Sequence, residues 1–173
     1  MVCAGCEFRR DVPLGVMIET PAAAVVCDTF VDDVAFFSIG TNDLVQYTLA
    51  VDRGNANLAS RFTPLHPAVL KLIRRTVSTA HKHELDVAVC GEMASQPLMA
   101  LVLIGLGVRQ LSVAPRSVPL VKRIVRGISV AAAEEATAAA LKARTASEAE
   151  AVLRERLASV LGPEPLVGDG LLG

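Results

Sequence analysis

The chain alternates short apolar runs with amphipathic stretches, and this alternation repeats along the sequence. A short apolar run bounded by turn residues is typical of a strand that is buried on both faces, as in a parallel sheet. Because each run is followed by a helical pattern, the order favours βα units. We predict four strands, at residues 15–18, 35–39, 87–90 and 111–114.

The segments between these runs carry helix signals. Thr20 is a suitable N-cap residue, Pro21 suits a first helical position, and Ser117 can cap a later helix. Residues 41–63 lack a clear period, and we predict a loop-rich stretch there. Apolar spacing predicts helices over residues 22–31, 67–83, 96–106 and 117–127.

The C-terminal part changes character. An alanine-rich segment predicts a helix over residues 129–141, and Ser147 and Glu150 have the spacing of a capping box that opens a helix ending at Leu161. We interpret both helices as a cover over the domain or as a subunit contact. The predicted division is an α/β domain, a helical extension and a flexible tail, over residues 1–128, 129–162 and 163–173.

Composition and charge exclude several classes of function. The 17 basic and 18 acidic residues leave a net charge of −1, so no charge excess attracts nucleic acid. Aromatic residues are 3% of the chain, which disfavours stacking on single-stranded bases. The apolar stretch over residues 97–108 is shorter than the roughly 20 residues that span a bilayer. We therefore expect neither a nucleic-acid partner nor membrane insertion.

The four cysteines are expected to be reduced thiols. No apolar leader opens the sequence, so we predict a cytoplasmic protein. Cys3 and Cys6 form a C-x-x-C pair, but zinc needs two further ligands and the nearest histidine is His66. We interpret this pair as incidental.

Chemically useful side chains follow the predicted strands. Glu19 follows the first strand, Asn42 and Asp43 follow the second, and Cys90 ends the third. Ligands of parallel α/β folds bind outside the carboxyl ends of the strands. Two carboxylates at one edge repel each other unless a cation lies between them, and Mg²⁺ suits such a pair. Alternatively, Glu19 and Asp43 are solvated turn residues, with Asn42 or Asp43 capping the next helix.

Three further residues have two interpretations each. Arg53 can bind phosphate or carboxylate bidentately, or it can pair with neighbouring Asp52 or another surface acid. Cys90 is either an inert core residue or a reactive thiol at a strand end. His66, between two prolines, fits helix entry better than catalysis.

Four motifs then point to a known family. They are Gly-Val-Met-Ile-Glu-Thr-Pro at 15–21, Phe-Phe-Ser-Ile-Gly-Thr-Asn-Asp-Leu at 36–44, Gln-Tyr-Thr-Leu-Ala-Val-Asp-Arg-Gly-Asn at 46–55 and Val-Cys-Gly-Glu-Met-Ala at 89–94. Together they closely resemble the C-terminal region of enzyme I of the sugar phosphotransferase system, the phosphoenolpyruvate–protein phosphotransferase. The wider family includes pyruvate phosphate dikinase and phosphoenolpyruvate synthase.

The resemblance implies a fold, a ligand and a set of roles. The family has a (β/α)8 barrel that binds phosphoenolpyruvate (PEP) and magnesium at its C-terminal rim. Matched by motif, Glu19 and Asp43 correspond to magnesium ligands, and Asn42, Asp43 and Arg53 to PEP contacts. Cys90 corresponds to the acid that protonates the enolate to give pyruvate.

The sequence also departs from the family. Only four βα units are visible, and nothing resembles the first half of the barrel or the histidine-bearing domain that receives the phosphoryl group and contacts the phosphocarrier protein. We therefore predict the C-terminal half of a TIM barrel followed by helices, which supplies part of a site for phosphoryl transfer from PEP to a protein histidine. The alternatives are a non-catalytic assembly module or a fragment of a related dikinase or synthase. Open strand edges and unpaired apolar side chains facing the barrel predict a homodimer or completion by a second chain.

Overall fold

The computed structural model describes residues 9–161 and contains one parallel sheet. The first three predicted strands are confirmed to within one residue. The fourth is shorter than predicted, although the Ser112 amide still donates to the Val89 carbonyl at 2.9 Å. The sheet order is β1-β2-β3-β4, with every neighbouring pair parallel. The strands are β1 (Gly15–Ile18), β2 (Phe36–Gly40), β3 (Asp86–Cys90) and β4 (Gln110–Leu111).

Helices separate and follow the strands, as the predicted βα order requires. The described part of the chain has none that is both long and apolar enough to cross a bilayer. The predicted tail, together with Cys3 and Cys6, lies outside the described residues. The α-helices are α1 (Pro21–Val25), α2 (Thr41–Leu49), α3 (Pro67–Lys82), α4 (Pro97–Gly105), α5 (Val118–Gly127), α6 (Val130–Ala140) and α7 (Ala146–Leu161).

The prediction of a loop-rich stretch over residues 41–63 is wrong at its start, where α2 forms. Thr41, Leu44 and Val45 are buried, which gives α2 an apolar face at helical spacing. Its N-cap is Gly40, and no side chain caps it, so the usual start signal is absent from the sequence. Burial against the protein therefore stabilises this helix, and Ala50, in the left-handed conformation, ends it.

Two predicted N-cap residues can be compared with the observed starts of their helices. Thr20 caps α1 as predicted, accepting from the Ala23 amide at 3.1 Å, although α1 ends at Val25. Ser117 makes no capping hydrogen bond, so that prediction is wrong.

The predicted capping box of α7 is displaced. Thr145 accepts from the Glu148 amide at 3.1 Å, and Glu148 accepts from the Arg144 amide at 2.8 Å. Glu150 instead accepts from Arg154 one turn later. The residues with the expected spacing thus lie two positions beyond the pair that opens the helix.

Within residues 9–161 one face of the sheet is covered and the other is open, which corrects the expectation of strands buried on both faces. Ile18, Ile39 and Val89 lie on the covered face and are fully buried. The opposite, open face carries Met17, which is 45% exposed, and the half-buried Cys90. Phe36 and Ser38 of β2 lie on the same face, so it combines apolar and polar side chains.

The core continues from the covered face into the C-terminal helices. Residues 97–103 of α4 are all buried, because α5, α6 and α7 pack around that helix. Ala149 and Leu153 of α7 join the same core. Of the two roles predicted for these helices, a cover over the domain is therefore confirmed.

Candidate functional site

Glu19 and Asp43 lie at the same edge of the sheet. Glu19 directly follows β1, and Asp43 is in the first turn of α2, which directly follows β2. Since β1 and β2 are parallel neighbours, both residues follow carboxyl ends of strands. A Cβ built on Gly40 would lie 2.9 Å from Glu19 Oε2, so the Glu19 side chain extends over the end of β2.

Both carboxylates are available to a ligand. Glu19 and Asp43 are half-buried, and neither carboxylate forms a hydrogen bond or ion pair with another residue in the range 9–161. The alternative in which Asn42 or Asp43 caps α2 is wrong, because that helix has no side-chain cap. Two unpaired carboxylates fit Mg²⁺, which uses one or two protein carboxylates and keeps its other positions for water and phosphate oxygens. Among the described residues no group of three potential ligands forms a fuller cage.

Two hydrogen bonds join the ends of β2 and β3. Thr41 Oγ1 donates to the Cys90 carbonyl at 2.9 Å, and the Glu92 amide donates to Asn42 Oδ1 at 3.1 Å. Thr41 is fully buried. The side-chain oxygen of Asn42 is occupied by the bond from Glu92, so its amide nitrogen is the group that can donate to a ligand.

Gly91 makes this close approach of the two strand ends possible. Its φ of 106° is in the left-handed region, and a Cβ there would lie 2.5 Å from Thr41 Oγ1. Sequence reasoning missed both Thr41 and Gly91. The available signal was their position beside Asn42 and Cys90 in two of the family motifs.

The Cys90 thiol lies on the open face of the sheet. Its sulfur is 3.5 Å from the Ile39 carbonyl oxygen, 3.7 Å from Ser38 Oγ and 3.8 Å from Met17 Sδ. Cys90 is half-buried, whereas Cys27 is fully buried in the core. Cys90 therefore lies outside the core, and its reactivity stays a prediction.

Arg53 belongs to a separate cleft of about 610 Å³ beside this edge. Asn42 lines the same cleft, while Glu19, Asp43 and Cys90 are not part of its lining. Within residues 9–161 the Arg53 side chain pairs with no acid, and Asp52 accepts from the Gly54 amide at 2.8 Å, so the predicted ion pair of Arg53 is wrong. The arginine is exposed and free to bind an anion.

The C-terminal extension also contributes to this cleft. Ser147 and Glu150 of α7 line it together with Arg53. Sequence reasoning did not connect this helix with the site, because no local signal tells which surface a distant helix covers.

His66 has the structural role that its position between prolines predicts. Its Nδ1 accepts from the Ala68 amide at 3.2 Å and caps α3. A ring nitrogen engaged in this way is committed to the helix start, so His66 stays outside the candidate site.

Comparison with known families identifies the family of this chain. The family model of the PEP-utilising enzymes, PEP-binding domain, matches residues 2–130. The chain therefore belongs to the PEP-utilising enzyme family, and the matched region is its PEP-binding domain.

Particular relatives agree with this assignment. The chain is 46% identical over 158 residues to the multiphosphoryl transfer protein of Xanthomonas campestris pv. campestris, covering 90% of the chain and 19% of that protein. It is 40% identical over 153 residues to the phosphoenolpyruvate-protein phosphotransferase of Haemophilus influenzae, covering 88% and 27%. The chain thus spans about a fifth to a quarter of the length of the curated relatives it matches.

Proposed function

We propose that this chain carries the magnesium and PEP part of a site that transfers a phosphoryl group from PEP to a protein histidine, as in the first step of the sugar phosphotransferase system. The observation that carries the proposal is the meeting of Glu19, Asn42, Asp43 and Cys90 at one edge of a parallel sheet. The family assignment supports it, since the matched domain binds PEP. The cytoplasmic localisation predicted from the sequence belongs to the same proposal.

Each side chain has a role that suits its chemistry. Glu19 and Asp43 would hold Mg²⁺, which when bound offsets negative charge on the phosphoryl oxygens. The Asn42 amide donates to a substrate oxygen, and Arg53 binds the phosphate or carboxylate with its planar fork. Cys90 delivers its thiol proton to the methylene carbon of the enolate, which gives pyruvate. The histidine that accepts the phosphoryl group, and the contact with a phosphocarrier protein, belong to a domain outside this chain.

Calorimetric titration with PEP tests the metal and substrate roles. We expect weak binding of PEP by the chain that strengthens with magnesium, and no phosphotransfer by the chain alone. Glu19→Gln or Asp43→Asn should weaken the magnesium-dependent binding at least about tenfold, because each removes one charge that holds the ion. Asp86→Asn, at the amino end of β3, is the matched control and should bind as the unmodified chain does. Equal binding with and without magnesium would contradict the metal role.

We also propose that the four βα units are the second half of a (β/α)8 barrel. A complete barrel has eight strands and about 250 residues. Among the described residues, β1 and β4 are the edge strands of the sheet, and its open face has no covering layer. Leu14 is 72% exposed directly before β1, where a preceding strand would pair. A segment with the other four strands, or a second copy of the chain, would cover these groups.

Sedimentation of the purified chain tests this second proposal. We expect a homodimer, or association with a separately produced first half of the barrel, because exposed strand edges pair with other chains. A monomer that unfolds cooperatively and does not bind the first half would contradict it. Dimerisation without any binding of PEP would instead favour a non-catalytic assembly module, a function that the open inner face also supports.

A further inference from the structure

Three groups lie near the Cys90 sulfur, and they differ in whether they can donate a hydrogen bond to it. A thiol has one proton, and the Ile39 carbonyl, 3.5 Å from the sulfur, can only accept it. The Met17 sulfur, at 3.8 Å, has no proton to donate. The Ser38 hydroxyl, at 3.7 Å, is thus the contacting group that can donate a hydrogen bond to the sulfur.

The sheet keeps Ser38 and Cys90 together. Ser38 pairs with Ala88, and Gly40 pairs with Cys90, so the two side chains are diagonal neighbours on the open face. Gly40 has no side chain to lie between them. The Thr41 hydroxyl donates to the backbone carbonyl of Cys90, which holds in place the strand end that carries the thiol.

We propose that Ser38 is the positioning residue of the Cys90 thiol, and that its hydroxyl stabilises the thiolate left after the proton is delivered. The catalytic meaning of this inference rests on the proposed function. In that step the S–H bond breaks and a C–H bond forms from the carbon–carbon π pair of the enolate, whose oxygen becomes the ketone of pyruvate. The thiolate then regains a proton from water, so the step involves no net oxidation.

The expected effect of removing the Ser38 hydroxyl follows from the strength of such a hydrogen bond. Ser38→Ala removes the hydrogen bond that the sulfur receives when it carries charge, and a hydrogen bond to a charged group is worth roughly tenfold or more in an equilibrium constant. A less stabilised thiolate is intrinsically more nucleophilic, with a Brønsted coefficient of about 0.4–0.5, which recovers part of the loss. The net expectation is a decrease of about fourfold in the rate of thiol–disulfide exchange at neutral pH.

The experiment follows the reaction of Cys90 with the neutral disulfide 4,4′-dithiodipyridine in the full chain. The parent protein carries Cys3→Ser and Cys6→Ser, which remove the two N-terminal thiols. Cys27 is fully buried, and a Cys90→Ser variant shows which part of the signal comes from Cys90. Ser38→Ala should react about fourfold more slowly than the parent. Ser78→Ala, on the exposed side of α3, is the matched control and should react at the parent rate.

An isosteric pair separates the hydroxyl from the packing. Ser38→Thr keeps the hydroxyl and should stay close to the parent rate, whereas Ser38→Val replaces it with a methyl group of the same shape and should slow the reaction as alanine does. This pair also serves if the alanine variant does not fold. Equal rates for the threonine and valine variants would overturn the inference.

The reaction needs no PEP, so the two proposals fail separately. Slow exchange in Ser38→Ala together with no PEP binding would leave the positioning role in place and remove the proposed function. An unchanged exchange rate in Ser38→Ala together with magnesium-dependent PEP binding would remove the positioning role and leave the proposed function in place.

Discussion

Replacing Gly105 with alanine is expected to lower the free energy of unfolding by about 3 kcal/mol or more. Gly105 is the last residue of α4, and a Cβ there would overlap the backbone carbonyl of Ala133 and the Thr137 hydroxyl of α6. A backbone group cannot rotate away as a side chain can, so the two helices must separate. The Thr137 hydroxyl, which lies 3.4 Å from the Val102 carbonyl, would lose that bond as well.

Urea unfolding followed by circular dichroism measures this effect. Gly127→Ala is the matched control, since Gly127 is the exposed last residue of α5. Alanine favours a helix over glycine by about 1 kcal/mol at most, so the control should stay within that range of the parent. A Gly105→Ala variant as stable as the control would contradict the close contact between α4 and α6.

Gly91→Ala is expected to destabilise the chain by about 2–3 kcal/mol and to disturb the candidate site. The left-handed φ of 106° is unfavourable for alanine, and the new methyl group would lie 2.5 Å from Thr41 Oγ1 and 2.9 Å from Asn42 Oδ1. We expect both hydrogen bonds between the ends of β2 and β3 to lengthen or break. Urea unfolding measures the loss of stability, and the reaction rate of Cys90 with 4,4′-dithiodipyridine measures the disturbance.

Gly107→Ala provides the control for backbone strain. Gly107 also has a left-handed φ, of 97°, but its Cβ would meet the His81 ring and not the strand ends. This variant should lose stability and keep the parent rate at Cys90. A Gly91→Ala variant that changes stability alone, as Gly107→Ala should, would show that Gly91 does not shape the site.

Local chemistry explains which predictions from the sequence succeeded. The three longer strands follow from apolar runs, and α3 follows from its apolar period, because both signals depend only on neighbours in the chain. The Thr20 cap is equally local, since the acceptor and its donor are three residues apart. The shared edge of Glu19 and Asp43 also follows from the sequence, because consecutive parallel strands present their carboxyl ends together.

Helix α2 could not be predicted from neighbouring residues alone. Its sequence mixes β-branched and polar residues, and Gly40 gives it no capping side chain, so intrinsic preference predicts no helix. Burial of Leu44 and Val45 decides the conformation. That energy comes from residues far along the chain, which no local window contains.

Contacts between distant segments were decided by the tertiary structure alone. The sequence by itself determined that apolar residues form parallel strands with acidic residues at their ends. It did not determine that one sheet face stays open, that Ser38 lies beside Cys90, or that α7 lines the cleft with Arg53. Each of these depends on which surfaces meet after folding, and a pair such as Ser38 and Cys90, 52 residues apart, has no shared signal in the sequence.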